Sequence, residues 1–279
     1  MSAIVTIDWP HEAVAKITMN NPEINNHGSW AGIFELWEAL KSSREAGARV
    51  WVLASAVEGH WYEHAWLRDM VDMFQGKPPS GPPDGWFGTL GELTRTHVVS
   101  VAAISGDTSG GGCEIGWACD LRVAEKGVLF SQPEVRIGVG TGLGGTSRLL
   151  RIIGRTVAAE MVLGGAPITA ERLYELGGLN RVVEKGEAIE NAVDWATQMA
   201  SYPPDALSGM KRMLNEAQEM SLQDSVINDQ KIFQEFSGSV HAIRLMNEIQ
   251  EKFDKGASIR ETYWPELETA SGAAVDRKD

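Results

Sequence analysis

Three consecutive glycines, Gly110-Gly111-Gly112, close the segment that follows the apolar run Val98 to Ile104 and open an amphipathic stretch ending near Asp120. A triplet of this kind weakens a strand and breaks a helix interior, but it makes a tight turn into a helix N-terminus at little cost. At such a turn the first backbone N–H groups lack partners and the helix dipole favours negative charge. The corner can therefore hold a phosphate or a developing oxyanion. The phosphate versions fit poorly, because no Lys-Ser/Thr pair follows as a P-loop requires and GxGxxG needs other spacing. An oxyanion site and a purely structural turn both remain open on the glycines alone.

Two carboxylates bear on that choice. Glu114 follows the triplet by one residue, and Glu134 stands 20 residues later in Phe130-Ser131-Gln132-Pro133-Glu134. Apolar neighbours on both sides predict partial burial, which raises a carboxyl pKa towards the range useful for proton transfer. Paired acids beside an oxyanion site can add or remove water, or move a proton, next to a thioester. The competing reading makes one of them a residue serving the helix dipole and the other a buried ion-pair partner.

The rest of the chain predicts α/β layering. Residues 13–19 alternate and stop at Asn20-Asn21-Pro22, as a strand entering a turn does. Ile33, Leu36, Trp37 and Leu40 mark one helical face with Ser29 as its N-cap, and Arg49 to Ser55 reads as a strand covered on both sides. A helix is expected from about Trp66. The segment Gly76 to Gly85, with four prolines, reads as a surface loop or the rim of a pocket. A helix carrying Trp86, Phe87, Leu90 and Leu93 and the strand 98–104 follow. Residues 154–200 read as helices with a short strand at 181–184, and the pattern after Pro204 is helical to about Lys255. Ten tryptophans fall mainly on helical faces, which places most of them in the core.

At 279 residues with 43% apolar content, the chain can bury a large core. Its net charge of −13 disfavours nucleic acid and anionic membranes as partners. No apolar run approaches the roughly 18 residues of a membrane span. Two cysteines, Cys113 and Cys119, and a start without a basic or apolar leader predict a reduced, cytoplasmic protein. His27, His60 and His64 match no helical ligand spacing, so no metal site is expected.

The strings SGDTSGGGCEIGWACDLRVAE and FSQPEVRIGVGTGLGGTSRLLRIIG resemble the crotonase superfamily, and within it the enoyl-CoA hydratase and isomerase proteins. The resemblance continues through GRTVAAEMVLGGAPITAERLYELGGLNRVVE and YPPDALSGMKRMLN and spans roughly residues 10–255. It implies a spiral of repeated strand–strand–helix (ββα) units over residues 1–200 and a C-terminal helical region over 201–268 that builds homotrimers, often paired into hexamers. The tail 269–279 is expected to be frayed. The resemblance also implies an oxyanion hole from the backbone N–H groups of Ala65 and Gly111, with Glu114 and Glu134 as the catalytic acids. Coenzyme A enters as part of the substrate, and no metal or redox cofactor is required.

Several positions depart from the family pattern. In Trp61-Tyr62-Glu63-His64-Ala65-Trp66, His64 replaces the usual glycine and Trp66 a residue that is commonly Asp. Trp61, Tyr62, His64 and Trp66 are therefore expected to narrow the acyl end of the pocket and to favour a bulky or cyclic acyl group. Thr141 stands where proline is common. Cations for the coenzyme A phosphates are few, with Arg68, Lys252 and Lys255 as candidates. A CoA-independent β-diketone carbon–carbon hydrolase and an enoyl-CoA isomerase are the alternative activities. Retention of Gly111, Glu114 and Glu134 together argues against a non-catalytic scaffold.

Overall fold

The structure, a computed structural model, describes residues 3–95 and 97–264. The expected frayed tail, 269–279, lies outside the described residues. Strands are β1 (Val5–His11), β2 (Val14–Met19), β3 (Val50–Ser55), β4 (Gly59–His60), β5 (Val99–Ile104), β6 (Gly106–Ser109), β7 (Leu121–Glu125), β8 (Leu129–Ser131), β9 (Ile168–Thr169) and β10 (Arg181–Val183). They form a six-stranded sheet, β1-β2-β3-β5-β7-β10, and a four-stranded sheet, β4-β6-β8-β9. The central ladders β2–β3, β3–β5 and β5–β7 are parallel, while β1 pairs antiparallel with β2.

Between strands run α1 (Trp30–Glu45), α2 (Leu67–Phe74), α3 (Gly85–Leu93), α4 (Gly111–Ala118), α5 (Gly145–Gly164) and α6 (Ala170–Glu175), with α7 (Ala188–Ala200) and α8 (Pro204–Ala217) after them. Three successive turns repeat one plan. β3, β5 and β7 enter the large sheet, β4, β6 and β8 follow them in the small sheet, and helix α2, α4 or α5 comes next. This is the expected spiral of ββα units. Its second strands are two to four residues long, too short to be visible as sequence patterns.

Side-chain alternation decides which layer each strand residue serves. Trp51 and Leu53 join Ile17, Ala102 and Ile104 in a core closed by Ile33, Leu36 and Leu40 of α1. Val50 and Val52 turn the other way, joining Val99 and Val101 against Ala188, Ala192 and Ala196 of α7. Alanines at every fourth position bring α7 close to the sheet. Ser29 caps α1 as expected, its side chain accepting from Gly32 N at 3.1 Å.

The chain divides into two units between Asn215 and Glu216, one helix beyond the boundary expected at 200/201. Lys211 explains why α8 belongs with the first unit. Its buried ammonium donates to the carbonyls of Leu93 at 2.8 Å and Val98 at 2.5 Å and pairs with Asp120 at 2.8 Å. The second unit consists of α9 (Leu222–Phe236), α10 (Val240–Asp254) and α11 (Ile259–Tyr263), each N-capped by a serine. Among the described residues no helix is long and apolar enough to cross a membrane.

Lys211→Met should remove three charge-assisted bonds and leave two carbonyls and Asp120 short of a donor. We expect a loss of about 3 kcal/mol in urea denaturation. A loss below about 1 kcal/mol would show that the ammonium does not hold α8.

Candidate active site

The segment Trp61–Trp66 is held from both sides by backbone bonds. Trp61 N donates to Asp107 O (3.1 Å), Glu63 N to Asn26 O (3.1 Å), Gly28 N to His64 O (2.9 Å) and Trp66 N to Gly28 O (3.0 Å), while Thr108 Oγ1 donates to Tyr62 O at 2.6 Å. Within this ladder the Ala65 N–H finds no acceptor among the described residues.

The glycine triplet packs against that segment so closely that side chains are excluded. A Cβ on Gly112 would lie 1.7 Å from Tyr62 O, and one on Gly111 would lie 2.8 Å from the Trp86 ring and 3.5 Å from Ala65 N. Gly110 has φ +47°, and its missing Cβ would meet the His64 ring at 2.5 Å. Gly111 opens α4, so its N–H has no helical acceptor. Two free backbone donors, from Ala65 and Gly111, thus stand side by side. This is the arrangement that stabilises a developing oxyanion.

A cavity of about 270 Å³ opens over these donors, and Glu114, Glu134 and His64 line it together with Ala65 and Gly111. Glu114, in the first turn of α4, is buried, and its Oε1 accepts from Leu143 N and Gly145 N at 2.7 Å each. Glu134 begins a 3-10 turn after Pro133; it too is buried, and its Oε2 has no hydrogen-bond partner. Gln132 fixes the approach of this turn by donating to Gly110 O at 3.0 Å. Burial raises both carboxyls above the ordinary carboxylate range. In Glu114 the two N–H bonds oppose that rise, and the nearby Glu134 charge adds to it.

Of the four side chains expected to narrow the pocket, the structure brings only His64 to it. Trp61 and Tyr62 are buried in the core, edge to face at 4.5 Å, with Trp61 Nε1 donating to Leu53 O. Trp66 turns outward into a separate cleft lined also by His27, Leu67, Arg68 and Val71. The backbone of 61–66 is fixed between Asn26–Gly28 and Asp107–Thr108, and the directions of these side chains are fixed with it.

The cavity walls come instead from Trp30, Met70, Met73, Pro83, Trp86 and Phe87. Trp86 and Phe87 were legible only as a helical apolar face, whereas Pro83 belongs to the proline-rich segment read as a loop or rim. Arg68 is exposed beside the oxyanion segment, and Arg136, which the sequence reading missed, lines a further cleft with His27 and His64. Lys252 and Lys255 are exposed at the end of α10 in the second unit. His27 Nδ1 lies 2.6 Å from Ile24 O, His60 Nδ1 bonds Glu63 at 2.9 Å and His64 Nδ1 lies 3.0 Å from Ala65 O, so the three histidines serve separate partners.

A carboxyl whose folded pKa is raised stabilises the fold below its unfolded pKa and loses that contribution as pH rises through the folded value. Glu134→Gln should therefore melt higher than wild type at pH 8, with the difference shrinking towards pH 4. Calorimetric scans across that range test this. A variant less stable than wild type at pH 8 would mean that the Glu134 carboxylate is satisfied in a way the geometry does not show.

Comparison with known proteins gives a consistent pattern. The family profile described as Enoyl-CoA hydratase/isomerase matches residues 10–255. The chain is 29% identical over 239 residues to a probable mitochondrial enoyl-CoA hydratase of Dictyostelium discoideum, covering 86% of this chain and 85% of that protein. It is 36% identical over 133 residues to the 2,3-dehydroadipyl-CoA hydratase of Escherichia coli K12, covering 48% and 52% of the two chains. The solved enoyl-CoA hydratase of Mycobacterium tuberculosis H37Rv superposes with a TM-score of 0.79 at 27% identity, covering 90% of this chain and 97% of that one.

Proposed function

Because the chain belongs to the enoyl-CoA hydratase/isomerase family, we propose that it adds water across the α,β-double bond of an enoyl thioester, or removes it in reverse. The observation that carries this reading is the pair of free N–H groups at Ala65 and Gly111 in a cavity with two buried acids. The N–H groups polarise the thioester carbonyl and hold the enolate, and one such donor typically contributes about 3 kcal/mol to the transition state. Glu134, with an unpartnered oxygen and a raised pKa, delivers the proton to the α-carbon. Glu114, held by Leu143 N and Gly145 N, orients water and takes its proton as it attacks the β-carbon.

The acyl group is bulky or cyclic in this reading. Trp30, Trp86 and Phe87, rather than Trp61, Tyr62 and Trp66, supply the aromatic surface. Arg68 and Arg136, in the clefts beside Ala65 and His64, are suited to the phosphates of coenzyme A. They favour a thioester substrate over a free β-diketone.

Glu114→Gln and Glu134→Gln should each lower kcat by about 10² to 10⁴ fold with little change in KM. The assay follows loss of enoyl-CoA absorbance, with crotonyl-CoA and ring-bearing enoyl-CoA esters compared and a cyclic β-diketone run beside them. A variant within about threefold of wild type removes that acid from the mechanism. Turnover of the diketone alone would replace hydration with carbon–carbon hydrolysis.

We further infer a homotrimer or a dimer of trimers. Leu222 and Val240 are 83% and 87% exposed, so the helices of the second unit carry apolar surface that the described residues leave open. Sedimentation equilibrium should show a species three or six times the 30.4 kDa chain. A monomer at micromolar concentration would rule this out.

A further inference from the structure

His64 is the one titratable side chain of the cavity that the proposed hydration leaves without a task. Its Nδ1 lies 3.0 Å from Ala65 O, and a carbonyl oxygen only accepts, so Nδ1 carries the hydrogen. Nε2 is thereby left as the exchangeable position. A Cβ built on Gly110 would lie 2.7 Å from that Nε2 and 3.2 Å from Glu134 Oε1, so the two polar atoms border the same point across the glycine. The other Glu134 oxygen is buried without a partner. His64 also lines the neighbouring cleft with His27 and Arg136, so its ring stands in a wall shared by the catalytic cavity and that cleft.

The geometry points to His64 as the residue that returns the proton to Glu134 after each turnover. Hydration leaves Glu134 as a carboxylate and Glu114 protonated, and the Glu114 oxygen is committed to two backbone donors. In the return step, which passes through one water between the two side chains, the Nε2–H bond of an imidazolium breaks and an O–H bond forms on Glu134, giving neutral imidazole and carboxylic acid. The Nδ1–H stays on Ala65 O throughout, so the ring does not turn and the oxyanion segment is not disturbed. A solvent proton entering from the second cleft restores the imidazolium, and Glu114 gives up its own proton to water. The charged groups that face His64 are Glu134 and Glu114 across the cavity and His27 and Arg136 across the cleft. The turnover part rests on the hydration reading, whereas the coupling of His64 to Glu134 does not.

Two measurements on the full chain separate these. In ¹⁵N-histidine NMR at one fixed pH, Nδ1 of His64 should carry a hydrogen, and the His64 Nε2 resonance should move in Glu134→Gln while that of His60, which is bonded to Glu63, stays in place. An unmoved His64 resonance overturns the proposal whatever the reaction is. In steady-state hydration, His64→Gln and His64→Ala should each lose about tenfold or more in kcat at unchanged KM, and free imidazole should recover much of the loss in His64→Ala. Wild-type kcat in both variants, or a loss that imidazole does not touch, overturns the proton-return role. If wild type hydrates no enoyl thioester while the His64 resonance still responds to Glu134→Gln, the hydration reading fails and the coupling of the two side chains is upheld.

Discussion

Everything at the candidate site depends on how closely the segment Trp61–Trp66 lies on the start of α4. With a Cβ on Gly112 only 1.7 Å from Tyr62 O, no residue other than glycine leaves the two backbones where they are. The closeness has a direct chemical result. It sets the unpaired N–H of Ala65 beside the unpaired N–H of Gly111, and no side-chain donor could be held as rigidly, because each N–H belongs to a backbone fixed by several bonds. The buried Trp61 and Tyr62 are the anchors of this arrangement. Their rings fill the core beneath the segment, so their burial contributes to the oxyanion geometry although neither touches the cavity.

The two acids share one cavity but not one environment. Burial pushes both carboxyls towards the neutral form, yet Glu114 has two N–H donors that favour its charge and Glu134 has an oxygen with none. Carboxyls bonded in such different ways suit the separate acid and base roles proposed for them. The division rests on backbone geometry at residues 143–145, where the turn into α5 presents its first N–H groups to Glu114. A turn 29 to 31 residues beyond Glu114 thus sets their difference.

His64 adds an imidazole to the segment that carries the Ala65 N–H. The ring occupies the space above Gly110, which the positive φ of that residue keeps open. An imidazole is thereby admitted to the wall without displacing the Ala65 or Gly111 N–H. The bulky aromatics of the same segment could not have taken that position, since their directions are already committed to the core and to the outer cleft.

Much of the frame was legible in the sequence because it is local. The strand at residues 14–19, the doubly buried strand 50–55, the Ser29 cap and the glycine turn before Glu114 follow from periodicity and from the conformational limits of single residues. The candidate pair Glu114 and Glu134 could be chosen from residue type and apolar flanks. The short strands of the small sheet could not, because two to four residues carry no period and exist only by pairing with distant partners. The acyl wall was read from the wrong residues for a related reason. In Trp61 to Trp66 composition shows four bulky side chains but not their directions, and direction is set by which neighbours the backbone bonds: Asn26 and Gly28 on one side, Asp107 and Thr108 on the other. Residue type and local period determined which groups were available for chemistry, and only the long-range pairing of backbones decided which of them face the cavity, since each hydrogen-bonded residue commits its side chain to one side or the other.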